Sequence, residues 1–148
     1  EEWLSTTRIN IDAVYYVARE VGKTMIEQKY GKIINIGSIH SKVAMTGFPI
    51  SAYCASKGAV LMLTKALANE WAQHNITVNA IGPAYFPSEM TQEAIAAEGF
   101  DLAIQAYCPM GRTGREGELD GAVVYFSSHA SSYTTGQYLA VDGGWTAI

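Results

Sequence analysis

Lys32-Ile33-Ile34-Asn35-Ile36-Gly37 and Ile76-Thr77-Val78-Asn79-Ala80-Ile81 are two short, β-branched runs. Their near-continuous apolarity suits strands covered on both faces. Between them, after a loop rich in Ser, Gly and Pro, a long helical pattern runs from Ser51, the expected cap, to about Gln73. A helix that long between two such strands is a crossover, so the strands are parallel and helices cover the sheet. Upstream, the periodicity of Ile9, Val14, Val17, Ala18, Val21 and Met25 predicts one helix from Trp3 to about Lys29. Downstream, helices are expected over 89–97, 102–107 and 115–128, and a strand over Tyr138–Val141 before Asp142-Gly143-Gly144. The order predicts a doubly wound α/β fold with a parallel sheet, without repeats or an internal linker.

The chain has 148 residues, 49% of them hydrophobic, enough for one core and too few for two ordinary domains. Net charge is −4 and the basic residues are scattered, which disfavours nucleic acid or an anionic membrane as partner and leaves a small-molecule substrate. Cys54 and Cys108 lie far apart and suggest neither a disulfide framework nor a zinc site, which fits a reduced, cytoplasmic setting. Cys54 is expected to be a buried thiol, and Trp71 and Trp145 core or interface residues. The acidic start, Glu1-Glu2-Trp3, lacks the regions of a signal peptide and reads as the edge of a helix inside a longer chain.

Ligands of open parallel sheets bind beyond the carboxyl ends of the strands. Ser38 follows the first strand, Pro83-Ala84-Tyr85-Phe86-Pro87-Ser88 follows the second, and the start of the long helix can return to the same rim. There Tyr53 and Lys57, four residues apart, share a helix face. A phenol is a poor base near neutrality, and a neighbouring cation favours its phenolate, so the pair reads as an acid/base device.

Asn10 in Arg8-Ile9-Asn10-Ile11-Asp12, Ser38 closing Ile33-Ile34-Asn35-Ile36-Gly37, Tyr53-x-x-x-Lys57, the strand 76–83 and the ending 135–145 occur in order. In this the chain resembles the short-chain dehydrogenase/reductase family along its whole length. The resemblance implies a Rossmann-type domain binding NAD or NADP, with Asn10, Ser38, Tyr53 and Lys57 catalytic. Tyr53 would exchange the hydroxyl proton, Ser38 hold the carbonyl or alkoxide oxygen, Lys57 assist Tyr53 and bond the nicotinamide ribose, and Asn10 complete a water-linked path to Lys57. It implies further cofactor contacts at Pro83, Ala84, Phe86 and Ser88, and substrate contacts at His40 and Tyr85. Ala84 replaces the family's usual glycine, which would be strained if that backbone needs positive φ. The loop 82–91 looks most like sugar-acid and polyol members, the gluconate 5-dehydrogenases among them; a reductase of 3-oxoacyl carrier proteins is the alternative. The family commonly pairs its long helices, which implies a homodimer or homotetramer.

Other chemistries fail on spacing. Ile36 stands where a nucleophile elbow needs glycine, no H-E-x-x-H occurs, and Gly111, Gly114 and Gly117 follow no predicted strand. With no Gly-rich turn to receive a pyrophosphate, residues 1–148 read as the C-terminal part of a single domain whose N-terminal half, roughly a hundred residues, is absent. The fragment alone is then expected to be inactive, and a non-catalytic interaction module is the reading from another class.

Overall fold

Three parallel strands, β1 (Gly31–Ile36), β2 (Ile76–Pro83) and β3 (Tyr138–Val141), form one sheet in the order β1-β2-β3. The structure, a computed structural model, describes residues 1–147. Gly31 to Ile36 pair with Ile76 to Ile81, and Ala80 to Pro83 pair with Tyr138 to Val141. β2, hydrogen-bonded on both sides, is buried from Ile76 to Gly82. The expectation of two covered faces therefore holds for β2. β1, paired among the described residues with β2 alone, is buried or half-buried from Gly31 to Asn35 and leaves Ile36 54% exposed.

The first expected helix is interrupted. α1 (Glu2–Thr7) and α2 (Ala13–Gln28) are joined by a π-helical turn over Arg8–Asp12, with Asn10 at its centre. Such a widened turn leaves the apolar periodicity nearly intact, so sequence spacing does not reveal it. α3 (Ser51–Trp71) starts with Cys54 N–H donating to Ile50 O at 2.9 Å. The cap position is Ile50 and no side chain caps it, so Ser51 is a first-turn residue and not the expected cap. α4 (Gln92–Ala96), α5 (Phe100–Tyr107) and α6 (Asp120–Ser127) follow. α6 is shorter than expected because residues 115–119 form turns, one of them using Gly117 at φ 83°.

α2 and α3 cover one sheet face, where Ala18, Leu67, Ala68, Ile76 and Val78 form a core joined by Met25 and Trp71. The Trp71 indole lies so close to Gly22 that a Cβ there would fall 2.6 Å from the ring, so glycine permits this helix contact. α6 covers the other face through Ala122 and Phe126 against Ile81. A third cluster, Ile39, Met45, Ile104, Cys108 and Trp145, lies beneath the loops at the strand ends. Trp145 is thus a core residue and Trp71 packs half-buried against the core, whereas Cys54 is only half-buried, not the buried thiol expected.

Polar side chains fix the remaining connection. Asn79, fully buried, donates to Thr134 O at 2.8 Å and accepts from Gln137 N–H at 3.0 Å, while Thr135 Oγ1 accepts from Val78 N–H. These bonds set where β3 begins. Asn79→Ala would leave Thr134 O and Gln137 N–H without that partner, and because both bonds are only part-buried each loss falls in the lower half of the about 1–3 kcal/mol range for an unmade bond. Equilibrium denaturant unfolding should show a loss of about 2–4 kcal/mol with an unchanged m-value.

Candidate active site

At the carboxyl ends of the strands, Lys57 Nζ donates to Ile36 O at 3.0 Å, tying the second turn of α3 to the last residue of β1. The same ammonium lies 5.7 Å from the Tyr53 ring centroid. Burial favours the neutral amine and lowers the Lys57 pKa. Asn10 Nδ2 donates to Ser56 Oγ at 2.9 Å, and Ser56 donates to Tyr53 O at 2.8 Å. The direct partner of Asn10 is therefore Ser56, while Asn10 and Lys57 both line an open groove of about 420 Å³ between α2 and β1.

Ser38 follows β1 in extended conformation and caps a 3-10 turn over Ile39–Ser41. Its Oγ accepts from His40 N–H at 3.1 Å, and Ser41 Oγ accepts from Ser38 N–H at 3.2 Å. The Ser38 hydroxyl keeps its proton for a further acceptor. His40 is 7% exposed, its Nδ1 3.0 Å from Val43 O. A carbonyl only accepts, so Nδ1 carries a hydrogen, and in the neutral ring Nε2 is then the acceptor. The ring meets Tyr53 edge-on at 6.0 Å.

Ser38, His40, Tyr53 and Tyr85 line one cavity of about 390 Å³. Its remaining wall includes Phe48, Ile50 and Met90, and from α1 Glu2 and Thr6. Glu2 and Thr6, four residues apart, share a face of α1, and the spacing in the sequence is the signal that could have brought them to the site. Burial, followed by the neighbouring Tyr53 charge, raises the Tyr85 pKa. The Tyr85 ring packs edge-on against Phe100 at 5.1 Å.

The loop after β2 divides between two cavities. Ala84 lines the Ser38 cavity and also a second one, of about 310 Å³, with Phe86, Arg112, Glu118 and Asp142. Positive φ among non-glycine residues is confined to Lys29 and Asn75 in the described chain, so the feared strain at Ala84 does not arise. Ala84 N–H instead donates to Val141 O at 3.2 Å. Pro83 ends β2 opposite Val141. Ser88 is exposed and hydrogen-bonded to Thr91 at 2.9 Å, so the structure does not bring it to Tyr53. Among the described residues, no group of three or more His, Cys, Asp or Glu side chains is placed to hold a metal ion.

Residues 1–146 match the family model described as Enoyl-(Acyl carrier protein) reductase. The chain is 42% identical over 146 residues to gluconate 5-dehydrogenase of Gluconobacter oxydans, covering 99% of this chain and 56% of that protein. It is 43% identical over 144 residues to 5-keto-D-gluconate 5-reductase of Escherichia coli, covering 97% and 56%. A crystal structure of a gluconate 5-dehydrogenase from Burkholderia cenocepacia, in complex with NADP and tartrate, superposes with TM-score 0.94 at 39% identity, covering 99% of this chain and 57% of that one. The chain thus spans a little over half the length of the relatives it matches.

In the wall of the second cavity, two Arg112 N–H groups hold the Glu118 carboxylate at 2.8 Å each, and Arg115 N–H donates to it at 2.7 Å. These bonds, the Arg112 pair foremost, hold the Glu118 pKa down at about 2. A carboxyl lowered on folding stabilises above its unfolded value of about 4.3 and loses that contribution as pH falls toward its folded value. The melting-temperature gap between the protein and its Glu118→Gln variant should be constant above about pH 5 and close progressively below about pH 4.

Proposed function

Because this chain belongs to the short-chain dehydrogenase/reductase family, we propose that the protein carrying it interconverts a secondary alcohol and a ketone on a sugar acid or polyol such as gluconate and 5-ketogluconate. NAD or NADP would be the hydride partner. The observation that carries this reading is the shared cavity of Ser38, His40, Tyr53 and Tyr85, with Lys57 on the same helix face as Tyr53.

In the direction of reduction, the Tyr53 hydroxyl donates its proton to the substrate oxygen; in oxidation it takes that proton back. Ser38 donates a hydrogen bond to the same oxygen, a contact that strengthens as negative charge develops. Its hydroxyl is turned to that task by the His40 N–H, which already fills one of its acceptor sites. In the neutral ring His40 Nε2 offers an acceptor for substrate hydroxyls, while the Tyr85 hydroxyl, which donates to Met45 Sδ at 3.6 Å, would turn from that sulfur to donate to substrate. Asn10, through Ser56, steadies the first turn of α3 that carries Tyr53.

The residues present fit the nicotinamide end of a dinucleotide. Lys57 has one bonded acceptor, Ile36 O, and two further N–H groups suited to ribose hydroxyls. Pro83, Ala84 and Phe86 offer the adjoining wall, and Ser88 would have to exchange its Thr91 bond to contribute. When bound, the nicotinamide would supply or accept the hydride. Among the described residues no strand is followed by the G-x-G-x-x-G turn that receives a pyrophosphate, so that half of the site would fall to residues outside them.

A cytoplasmic setting is supported by free Cys54 and Cys108, and no described helix is long and apolar enough to cross a membrane. Association into a homodimer or homotetramer is supported by Tyr16 of α2 and Met62 of α3, which stand 53% and 64% exposed. The substrate class is tested on the intact protein by following reduced-cofactor consumption with 5-ketogluconate against an acetoacetyl thioester. A kcat/KM for the sugar acid at least about tenfold higher is expected, the worth of about 1.4 kcal/mol in transition-state binding. Preference for the thioester would overturn the sugar-acid reading in favour of a carrier-protein reductase.

A further inference from the structure

We infer that Tyr138, the first residue of β3, is a positioning residue for Ser38, acting as a strut that reaches across β2 to hold the Ser38 carbonyl. This rests on the reading of Ser38 as the hydroxyl that binds the substrate oxygen.

The Tyr138 hydroxyl donates to Ser38 O at 2.7 Å, a contact between residues one hundred positions apart. Between them lies Gly82 of β2, where an added Cβ would fall 1.8 Å from the Tyr138 oxygen and 2.0 Å from its Cζ. Gly37 is close as well, with an added Cβ 3.3 Å from the ring edge. The phenol therefore occupies space that Gly82 leaves open, with Gly37 closely packed beside it. On the ring face, Lys42 Nζ sits 4.5 Å from the centroid, adding a cation–π contact from the segment just after the Ser38 turn. The ring is thus held on one side by glycine backbone and on the other by the turn it supports.

Ser38 O also accepts from Ser41 N–H at 2.9 Å, so the strut and the turn share one carbonyl. Removing the phenolic hydroxyl leaves Ser38 O bonded within its own turn alone, free to swing with residues 39–42. The donor persists across any working pH: burial, then the Asp142 charge, pushes the Tyr138 pKa up to about 12. Tyr138 lines neither the Ser38–Tyr53 cavity nor the cavity beside Arg112, so it has no route to substrate except through Ser38.

A double-mutant cycle in the intact enzyme tests this. Tyr138→Phe should lower kcat about threefold to tenfold, the range spanned by one net hydrogen bond, with KM within about twofold. In a Ser38→Ala background the same change should cost nothing further, because the group it positions is gone. Equal losses in both backgrounds, or an undiminished kcat in Tyr138→Phe, would overturn the strut. A Ser38→Ala variant that turns over normally would instead defeat the reading of the active site. Amide hydrogen exchange then decides the strut without turnover. His40 and Ser41, whose N–H groups bond Ser38, should exchange about threefold to tenfold faster in Tyr138→Phe. Unchanged protection of both amides would overturn it.

Discussion

The pairing of β2 with a parallel strand on each side is the constraint on which the rest of the structure depends. A buried strand must satisfy its backbone N–H and C=O groups, and β2 does so with β1 along one edge and, along the other, with β3 and the connection before it, where Thr135 Oγ1 accepts from Val78 N–H. Parallel direction brings all three carboxyl ends to one rim, and register then fixes what meets there. Ile36 opposite Ile81 sets Ser38 just beyond the sheet, and Pro83 opposite Val141 sets Ala84 and Tyr85 beside it. The Asn79 side chain extends the same logic to the connection before β3.

On that frame, site chemistry follows from partial burial. Lys57 is desolvated against Ile36 O, which ties α3 to β1 while favouring loss of its charge. Ser38 is held from several directions, by His40, Ser41 and Tyr138, and its own hydroxyl hydrogen remains available. Rigid backbone with one uncommitted donor is what preorganised stabilisation of a developing charge requires. The cluster of Ile39, Met45, Ile104, Cys108 and Trp145 supports the floor of the cavity and keeps Tyr85 in place.

The parts of this arrangement set by local spacing were legible in the sequence. Tyr53 and Lys57 share a face because a helix brings positions four apart together, and Ser38 reaches the rim because it follows a strand. The strand count, direction and approximate limits of β1, β2 and β3 also followed from composition and crossover length. What was hidden depends on distant contacts. The π-helical turn at Asn10 needs a tertiary partner, here Ser56, and leaves little trace in periodicity. His40 is placed at the site in the sequence only by resemblance, and its bond to Val43 and its packing on Tyr53 are what make it a buried wall residue. Ser51 has the chemistry of a cap, yet the chain enters α3 through Ile50, one of the residues lining the cavity. Tyr138 reads as an ordinary strand residue until Gly82 is seen to make room for it.

The central claim is that Tyr53 transfers the proton in a cavity where Ser38 holds the substrate oxygen. It is tested most directly by replacing Tyr53 with Phe in the intact enzyme and measuring kcat alongside cofactor affinity. Removing the Tyr53 hydroxyl while leaving the ring in place should reduce kcat by about two to four orders of magnitude, with nucleotide binding and thermal unfolding nearly unchanged. Turnover close to that of the unsubstituted enzyme would contradict the account.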